Sequence, residues 1–554
     1  MCCGVRELRV RAKIKKGCHT SRLWKVHWSS LDSLFLFMNT ECNTKGNYSV
    51  VWFKRDLRLH DHAALTQAAA RGPILCLYVI EPSLWAAADA ANQHYQFILE
   101  SLADVDAALR RRGGALHIAV GEVVDVLDKL FAAQPFAALF AHEETGNAPS
   151  YQRDLDVGKW CIVHDVGWHE SMQFGVTRRL QNRDHWQRKR EAHIGQPCLP
   201  VPQLQFVDAA WPSEAPPSAA ALQLDAHDPP HRQRGGRRQG VAVLQDFLSE
   251  RSKHYRGGIS SPLSAPTACS RLSPYLAYGC LSMREIAQAT RRRVAELAGN
   301  ASRQKAGLTA FTSRLYWHCH FIQKLESEPE LETVNLHRGY EGLREADWND
   351  AHFAALIAGR TGWPLVDACV AMLRETGWIN FRMRAMLVSI AAYPLWLHWR
   401  PVGLWLAQQF LDYEPGIHWP QMQMQSGTTG TNVPRIYNPI KQAQDQDPHG
   451  VFVRRWLPAL RRVPDAWIFE PWRMPPELAG RCGVQIGIDI AVPIVDLEIA
   501  TRAAKERLFA LRAQPEIKAG TAAIVKKHAS RMRPVDQGGT RKKMRNTAQM
   551  TLEF

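Results

Sequence analysis

Between residues 48 and 175 the chain repeats one pattern that few folds accommodate: a short apolar run, a helical stretch, then another apolar run. Ser49-Val50-Val51-Trp52-Phe53 reads as a buried strand and the Ala-rich stretch Ala63–Ala70 as the helix after it. Pro73–Ile80, Ala115–Val120, Ala137–Ala141 and Cys161–Val166 continue the strands; Ala91–Arg112 and Val124–Ala133 continue the helices. Strands separated by helices cannot pair as hairpins, so the pattern predicts a parallel, doubly wound, Rossmann-like α/β domain.

Beyond Val241 the period changes. Trp and Leu recur at i, i+3 and i+4 with almost no β-runs, which predicts a second, all-α domain. The expected organisation is an extension over 1–47, the α/β domain over 48–180, a long connector over 181–240, the helical domain over 241–510 and a disordered basic tail over 511–554. Residues 1–37 read as an over-long start, because Met38 offers a second one and recognisable structure begins near Tyr48. The longest apolar stretch, Ala385–Leu397, is interrupted by Ser389 and Pro394 and falls short of the roughly 18 residues of a membrane span. A monomer in the cytoplasm, with no membrane contact, is expected.

The net charge of +16 points towards a polyanionic partner, but its placement matters more than its size. Residues 1–37 carry eight basic and two acidic side chains, and 518–554 carry nine and two, which leaves only +3 between them. Nucleic-acid binding therefore has to come from a local patch or from the ends. The twelve cysteines include no C-x-x-C pair, so a zinc knuckle is disfavoured. An iron–sulfur cluster built from distant cysteines stays open, with buried thiols the favoured reading.

Three segments carry chemistry. Cys269-Ser270-Arg271-Leu272-Ser273-Pro274 reads as a helix start with Ser273 at the N-cap, suited either to a diphosphate or to ordinary capping. Arg314, Trp317, His318 and Phe321 share one helical face, which gives a base-stacking surface or a packing stripe; His318 and His320, two apart, diverge and form no metal pair. Arg382 and Arg384 lie on an apolar helix expected over Leu365–Ile390 and need partners, of which Asp412 and Glu414 are the best candidates.

Several blocks together resemble the photolyase/cryptochrome family. They are Val51-Trp52-Phe53-Lys54-Arg55-Asp56-Leu57-Arg58, Ser270-Arg271-Leu272-Ser273-Pro274-Tyr275-Leu276, Thr361-Gly362-Trp363-Pro364-Leu365-Val366-Asp367-Ala368, Thr376-Gly377-Trp378, and Val453-Arg454-Arg455-Trp456-Leu457-Pro458, in the family's order over roughly 48–480. The resemblance implies FAD in the helical domain and a second, antenna chromophore of unknown identity in the α/β domain. By position it implies that Tyr255, Ser270, Arg271, Leu272 and Ser273 hold the phosphates and ribityl. Trp378, Arg382, Arg384, Asp412 and Glu414 then surround the rings, and Arg384–Asp412 is the buried ion pair beside the flavin.

It further implies Trp399 and Trp348 as electron donors, with Met422 where the flavin-proximal tryptophan usually stands. His418 is placed at flavin N5, where relatives commonly carry asparagine, and its imidazole, titrating near 6.5, would donate a proton over about pH 5.5–7.5.

The chain also departs from the family's patterns. Arg314 stands where dimer-repairing relatives carry glutamate, Met424 where a second stacking tryptophan is usual, and Phe381 where asparagine is usual. The paired histidines of six-four photolyases are absent, so the chain resembles a divergent member that fits neither standard repair pattern. Two activities follow from the resemblance. One is blue-light-driven repair of pyrimidine photoproducts in DNA, a carbon–carbon lyase reaction of the deoxyribodipyrimidine photo-lyase type, with Arg314, Trp317 and Met424 bordering the substrate. The other is a cryptochrome photoreceptor that signals through its tail or a partner. Retained Trp317 and the basic ends tilt the reading to repair.

Overall fold

A computed structural model describes residues 46–528 except 300, 301 and 432; the expectations for residues 1–37 fall outside the described residues. Five strands, β1 (Ser49–Phe53), β2 (Ile74–Ile80), β3 (Leu116–Val120), β4 (Ala138–His142) and β5 (Gly167–Ser171), form one all-parallel sheet in the order β3-β2-β1-β4-β5. Every residue of β1 is buried because both faces of a parallel sheet are covered. Val51 and Phe53 face a core that continues into the helical region through Leu276, Phe311 and Tyr316. Val50 and Trp52 face the other way, onto Leu127 and Trp160. Winding reverses between β1 and β4, so the crevice beyond their C-terminal ends is the natural place for a ligand.

One expected strand is a helix. The βα alternation predicts a strand over Cys161–Val166, yet Cys161 to Val163 close the helix Ala148–Val163, and the strand is Gly167–Ser171. The helix is started by Asn147, whose side chain accepts from the Ser150 amide, and is held by Trp160 stacked on Phe136 at 5.9 Å. Tertiary packing overrides the propensity of Ile162 and Val163, which are left 81% and 78% exposed.

The single helix expected over Leu365–Ile390 is two, Pro364–Thr376 and Phe381–Ala392. Gly377 breaks it with φ +61, and a Cβ there would lie 2.2 Å from Gln93 Oε1. The connector ends earlier than expected, in a helix that begins at Arg237. The tail expected to be disordered over 511–554 is helical as far as 528: Leu497–Ala513 runs into it and Pro515–His528 follows, anchored by buried Leu508, Ile517 and His528, while 529–554 fall outside the described residues. Its apolar residues mostly stay exposed or half-buried, and only Ala504, Leu508, Ile517 and His528 are buried. No helix among the described residues is long and apolar enough to cross a membrane.

Candidate functional site

The helical region encloses two adjoining cavities, of about 1230 and 750 Å³, that share Ser273, His318, Phe381, Arg384, Asp412, Ile417 and Gln421. Their walls come from elements distant in sequence: the 252–258 segment, the 269–273 turn, the long helix Arg303–Ser327, the Gly377 break and the helix Pro415–Ser426.

The 269–273 turn is strained. Arg271 has φ +59, a left-handed conformation that a non-glycine residue adopts at a cost. Two bonds hold it there: Arg271 Nε donates to Gln233 Oε1 at 3.0 Å, and Gln233 Nε2 donates back to the Arg271 carbonyl at 2.9 Å. The conformation lays the guanidinium 3.8 Å over the Trp378 ring, inside the larger cavity. Burial lowers its pKa to about 10, and no carboxylate pairs with it among the described residues. A buried cation that feels Asp412 only at a distance, that carboxylate being paired with Arg384, is suited to an anionic ligand. Contrary to expectation, Leu272 is the N-cap and the helix Ser273–Ala277 is a single turn, so the arginine and the hydroxyls, not a helix end, supply the anion-binding character.

Arg384 and Asp412 face each other across both cavities through two contacts, at 2.9 and 3.0 Å. Burial pushes the Asp412 carboxyl up, but the Arg384 charge and hydrogen bond, aided by the Ser273 hydroxyl, outweigh it and hold the group below the usual carboxylate range. Arg384 is fixed further by its Nε–H to the Ile379 carbonyl at 2.8 Å and by the Phe410 ring at 4.1 Å.

Tyr255, Ser270, Leu272, Arg314 and Trp317 line the larger cavity, and Glu414 and His418 the smaller. Glu414 caps Pro415–Ser426 by accepting from the Gly416 amide and stands 3.4 Å from Arg55; burial raises its pKa despite that charge. His418 departs from its expected titration, since burial lowers it to about 4 and leaves the ring neutral across pH 5.5–7.5.

Met424 and Arg382 line neither cavity. On Pro415–Ser426 the cavity face is Glu414, Ile417, His418, Gln421, Met422 and Gln425, a helical period that turns Met424 away. On the next wall Phe381, Arg384, Ala385 and Val388 face inward, while Arg382 reaches towards Ser260.

Trp399 and Trp348 lie away from the cavities. Trp399 donates to Asn335 Oδ1 at 2.7 Å, and its ring is 6.0 Å from Trp419, which is 4.9 Å from His418. Trp348 instead packs on Phe353 at 5.1 Å, and no ring contact joins it to Trp399 among the described residues.

One wall residue, Asn380, has a role that its sequence context hides, and a second, His318, adds an unsatisfied atom to the face it shares with Trp317. Asn380 precedes a helix and looks like an ordinary cap, yet its amide donates to the carbonyls of Ile259 and Ser260 and leaves Oδ1 buried without a partner. His318 likewise keeps a buried, unpartnered Nδ1 on both cavities. Unsatisfied polar atoms beside an unpaired cation and a stacked indole fit a flavin dinucleotide: a diphosphate at Arg271 and the serines, and ring edges at Asn380, Arg384 and Asp412.

A third cavity, of about 840 Å³, opens beyond β1 and β2 and is walled by Trp52, Trp85, Tyr278 and Tyr413. Tyr413 donates to Asp89 there at 2.6 Å. Among the described residues no cysteine belongs to a metal-holding group, and the one cluster of metal-ligating side chains is Asp56, His62 and His142, where the Asp56 carboxylate faces both imidazoles.

Residues 49–174 match the family model described as DNA photolyase, and 311–510 match the FAD binding domain of DNA photolyase. A protein named Cryptochrome DASH from Gloeobacter violaceus is 30% identical over 492 residues, covering 83% of this chain and 95% of that one. A deoxyribodipyrimidine photo-lyase from Alkalihalophilus pseudofirmus is 25% identical over 485 residues, covering 80% of this chain and 94% of that one. The crystal structure of a bacterial class III photolyase from Agrobacterium tumefaciens superposes with a TM-score of 0.74 at 24% identity, over 86% of this chain and all of that one. With the sheet, the flavin-sized cavity and its Arg384–Asp412 pair in place, these matches show that the chain belongs to the photolyase/cryptochrome family and carries its FAD-binding domain.

Proposed function

We propose that the protein is a blue-light-driven repair enzyme that restores UV-damaged pyrimidines in DNA, held through non-specific phosphate contacts. The observation that carries this reading is Trp317, a half-buried indole on the same cavity as Arg271, Trp378 and Asp412. A base rotated out of the stack can lie on that ring and so come within the walls that hold the cofactor. Bound FAD supplies the light-driven electron. The protein's residues bind and orient: Arg271 with Ser270 and Ser273 takes the diphosphate, Arg384 with Asp412 fixes the ring edge, and Trp317 with Phe321 shapes the substrate side.

The third cavity, with its aromatic walls and its place beyond the sheet's C-terminal ends, supports a second chromophore there. The test is to illuminate reduced protein with lesion-bearing DNA and assay for restored bases; none restored, at full flavin occupancy, overturns the reading. Arg314 favours a second reading, a photoreceptor that signals to a partner without repair. It brings a cation against Tyr255 at the cavity wall, where a repair pocket of the standard kind would use a carboxylate acceptor.

A further inference from the structure

Outside the flavin cavities, the 252–258 segment and the start of the helix Arg303–Ser327 enclose an open basin of about 1090 Å³. Lys253, His254, Arg256 and Arg303 line it with the hydroxyl-bearing Ser264 and Thr267, and no carboxylate does. Arg256, Arg303 and His254 form no ion pair among the described residues, and the Lys253 ammonium bonds only a solvent-exposed neighbour, Glu250, at 2.7 Å. The residues between the two ends of this chain are almost charge-balanced, so three permanent cations gathered in one concavity are a local excess.

The backbone leaves its helix here. Arg256 has ψ 116 and Gly257 φ +99, and a Cβ on Gly257 would meet nothing within 4 Å, so the rim is open to solvent. The basin also backs directly onto the flavin cavity: Tyr255 lines that cavity while its neighbours His254 and Arg256 line the basin. Arg303 and Arg314 are eleven residues apart on one helix, three turns and about 16 Å, which puts them on the same face. Trp317 follows less than one turn later, so a single helical face leads from the basin to the stacking indole.

We propose that this basin docks the phosphodiester backbone of the DNA strand whose base enters the flavin cavity, with Lys253, Arg256 and Arg303 as its phosphate contacts. The proposal rests on the repair reading above. The strand's phosphates lie along the cations and the start of the long helix, whose positive end adds to their field. The strand then follows the Arg303–Arg314 face, so that a nucleotide a few positions along reaches Trp317. The three cations position the strand and read no bases.

The test compares the flavin-loaded full-length protein with the triple variant Lys253→Gln, Arg256→Gln, Arg303→Gln. Binding of a fluorescent, lesion-bearing oligonucleotide is measured between about 50 and 200 mM KCl. Each lost phosphate contact removes about 0.7 to 0.9 from the slope of log K against log salt, so the variant's slope should be shallower by about 2 to 3. A second triple variant, Arg110→Gln, Arg111→Gln, Arg112→Gln, alters three exposed arginines of the α/β layer and should keep the parent's slope. Flavin content and melting temperature should match the parent in both. A basin variant with the parent's slope overturns the dock and leaves the repair reading standing; equal changes in both variants also overturn it, as an effect of net charge. A parent with no salt-dependent affinity for DNA overturns both.

Discussion

His418 Nε2 lies 2.9 Å from the carbonyl oxygen of Gly403 on the neighbouring helix, and because a carbonyl only accepts, that nitrogen carries the proton. The ring is thereby held as one neutral tautomer, and burial, which lowers its pKa to about 4, keeps it so. A group with its folded pKa depressed below the unfolded 6.5 resists protonation in the fold, so the unfolded chain binds the extra proton. Its contribution to stability is complete above pH 6.5 and is lost as pH falls towards 4.

His94 and His318, lowered by burial to about 4 and about 3, act in the same sense. The expected outcome is a denaturation midpoint that falls between pH 6.5 and 4, while the rate of flavin photoreduction stays flat from pH 5.5 to 7.5. His418→Asn, which keeps an N–H donor for Gly403, should leave the flat profile unchanged. A photoreduction rate that titrates near 6.5 in the parent and not in this variant would show an ionising ring.

If the Arg384–Asp412 pair holds the flavin as proposed, its loss should affect cofactor retention and folding together. Removing one member of a buried, doubly bonded pair strands the other at a cost of roughly 3–5 kcal/mol. Asp412→Ala should therefore purify with little flavin or melt well below the parent, and Asp412→Asn, which keeps one acceptor for Arg384, should fall between them. The ratio of visible to protein absorbance and a thermal melt read both. An Asp412→Ala protein with full flavin and an unchanged melt would remove the pair from the site.

The ring contacts predict an electron path that differs from the one the family resemblance implies. Met422 lines the cavity where an indole is usual, but Trp419 stands between His418 and Trp399, with ring separations of 4.9 and 6.0 Å. Trp419→Phe and Trp399→Phe should each slow flavin photoreduction several-fold, and Trp348→Phe should not. Stopped illumination with an external reductant measures this directly, and a Trp419→Phe variant as fast as the parent removes the bridge.

How far the sequence reveals the site depends on what kind of signal each residue leaves. Strand and helix periods expose the sheet and the helical domain because both rest on apolar repetition, as in β1 and the helix Arg303–Ser327. Motif position finds Arg271 and Asp412, but the left-handed backbone at Arg271 leaves no mark, since it depends on Gln233, 38 residues upstream. Asn380 is hidden for a related reason: its identity suggests a cap, and only the packed 259–260 carbonyls turn its side chain away from the helix it precedes. Met424 and Arg382 show the converse, where alignment supplies a residue and the helical period points it elsewhere. Gly377 is legible as a helix stop only once the neighbouring Gln93 is known to occupy the space of its missing Cβ.

The choice between repair and signalling turns on Arg314 and Trp317, less than one helical turn apart on the cavity wall. Stacking of a base on an indole contributes roughly 1–3 kcal/mol, so Trp317→Ala should weaken binding to lesion-bearing DNA about ten- to a hundredfold. Flavin content should stay at the parent's level, because the ring-holding groups Arg384, Asp412 and Trp378 lie on other elements. Arg314→Glu replaces a donor with an acceptor beside Tyr255, whose hydroxyl then keeps a partner, so the fold should tolerate it. If the pocket was retuned from a dimer-repairing one, this variant gains cyclobutane-dimer repair under blue light that the parent performs weakly or not at all. If the pocket was given over to signalling, the gained acceptor restores nothing, since Phe381, which offers no hydrogen bond, still lines the cavity. Parent and Arg314→Glu assayed side by side on dimer-bearing and undamaged oligonucleotides decide it: equal affinity for both substrates and no restored bases in either protein would make the photoreceptor reading the one that stands.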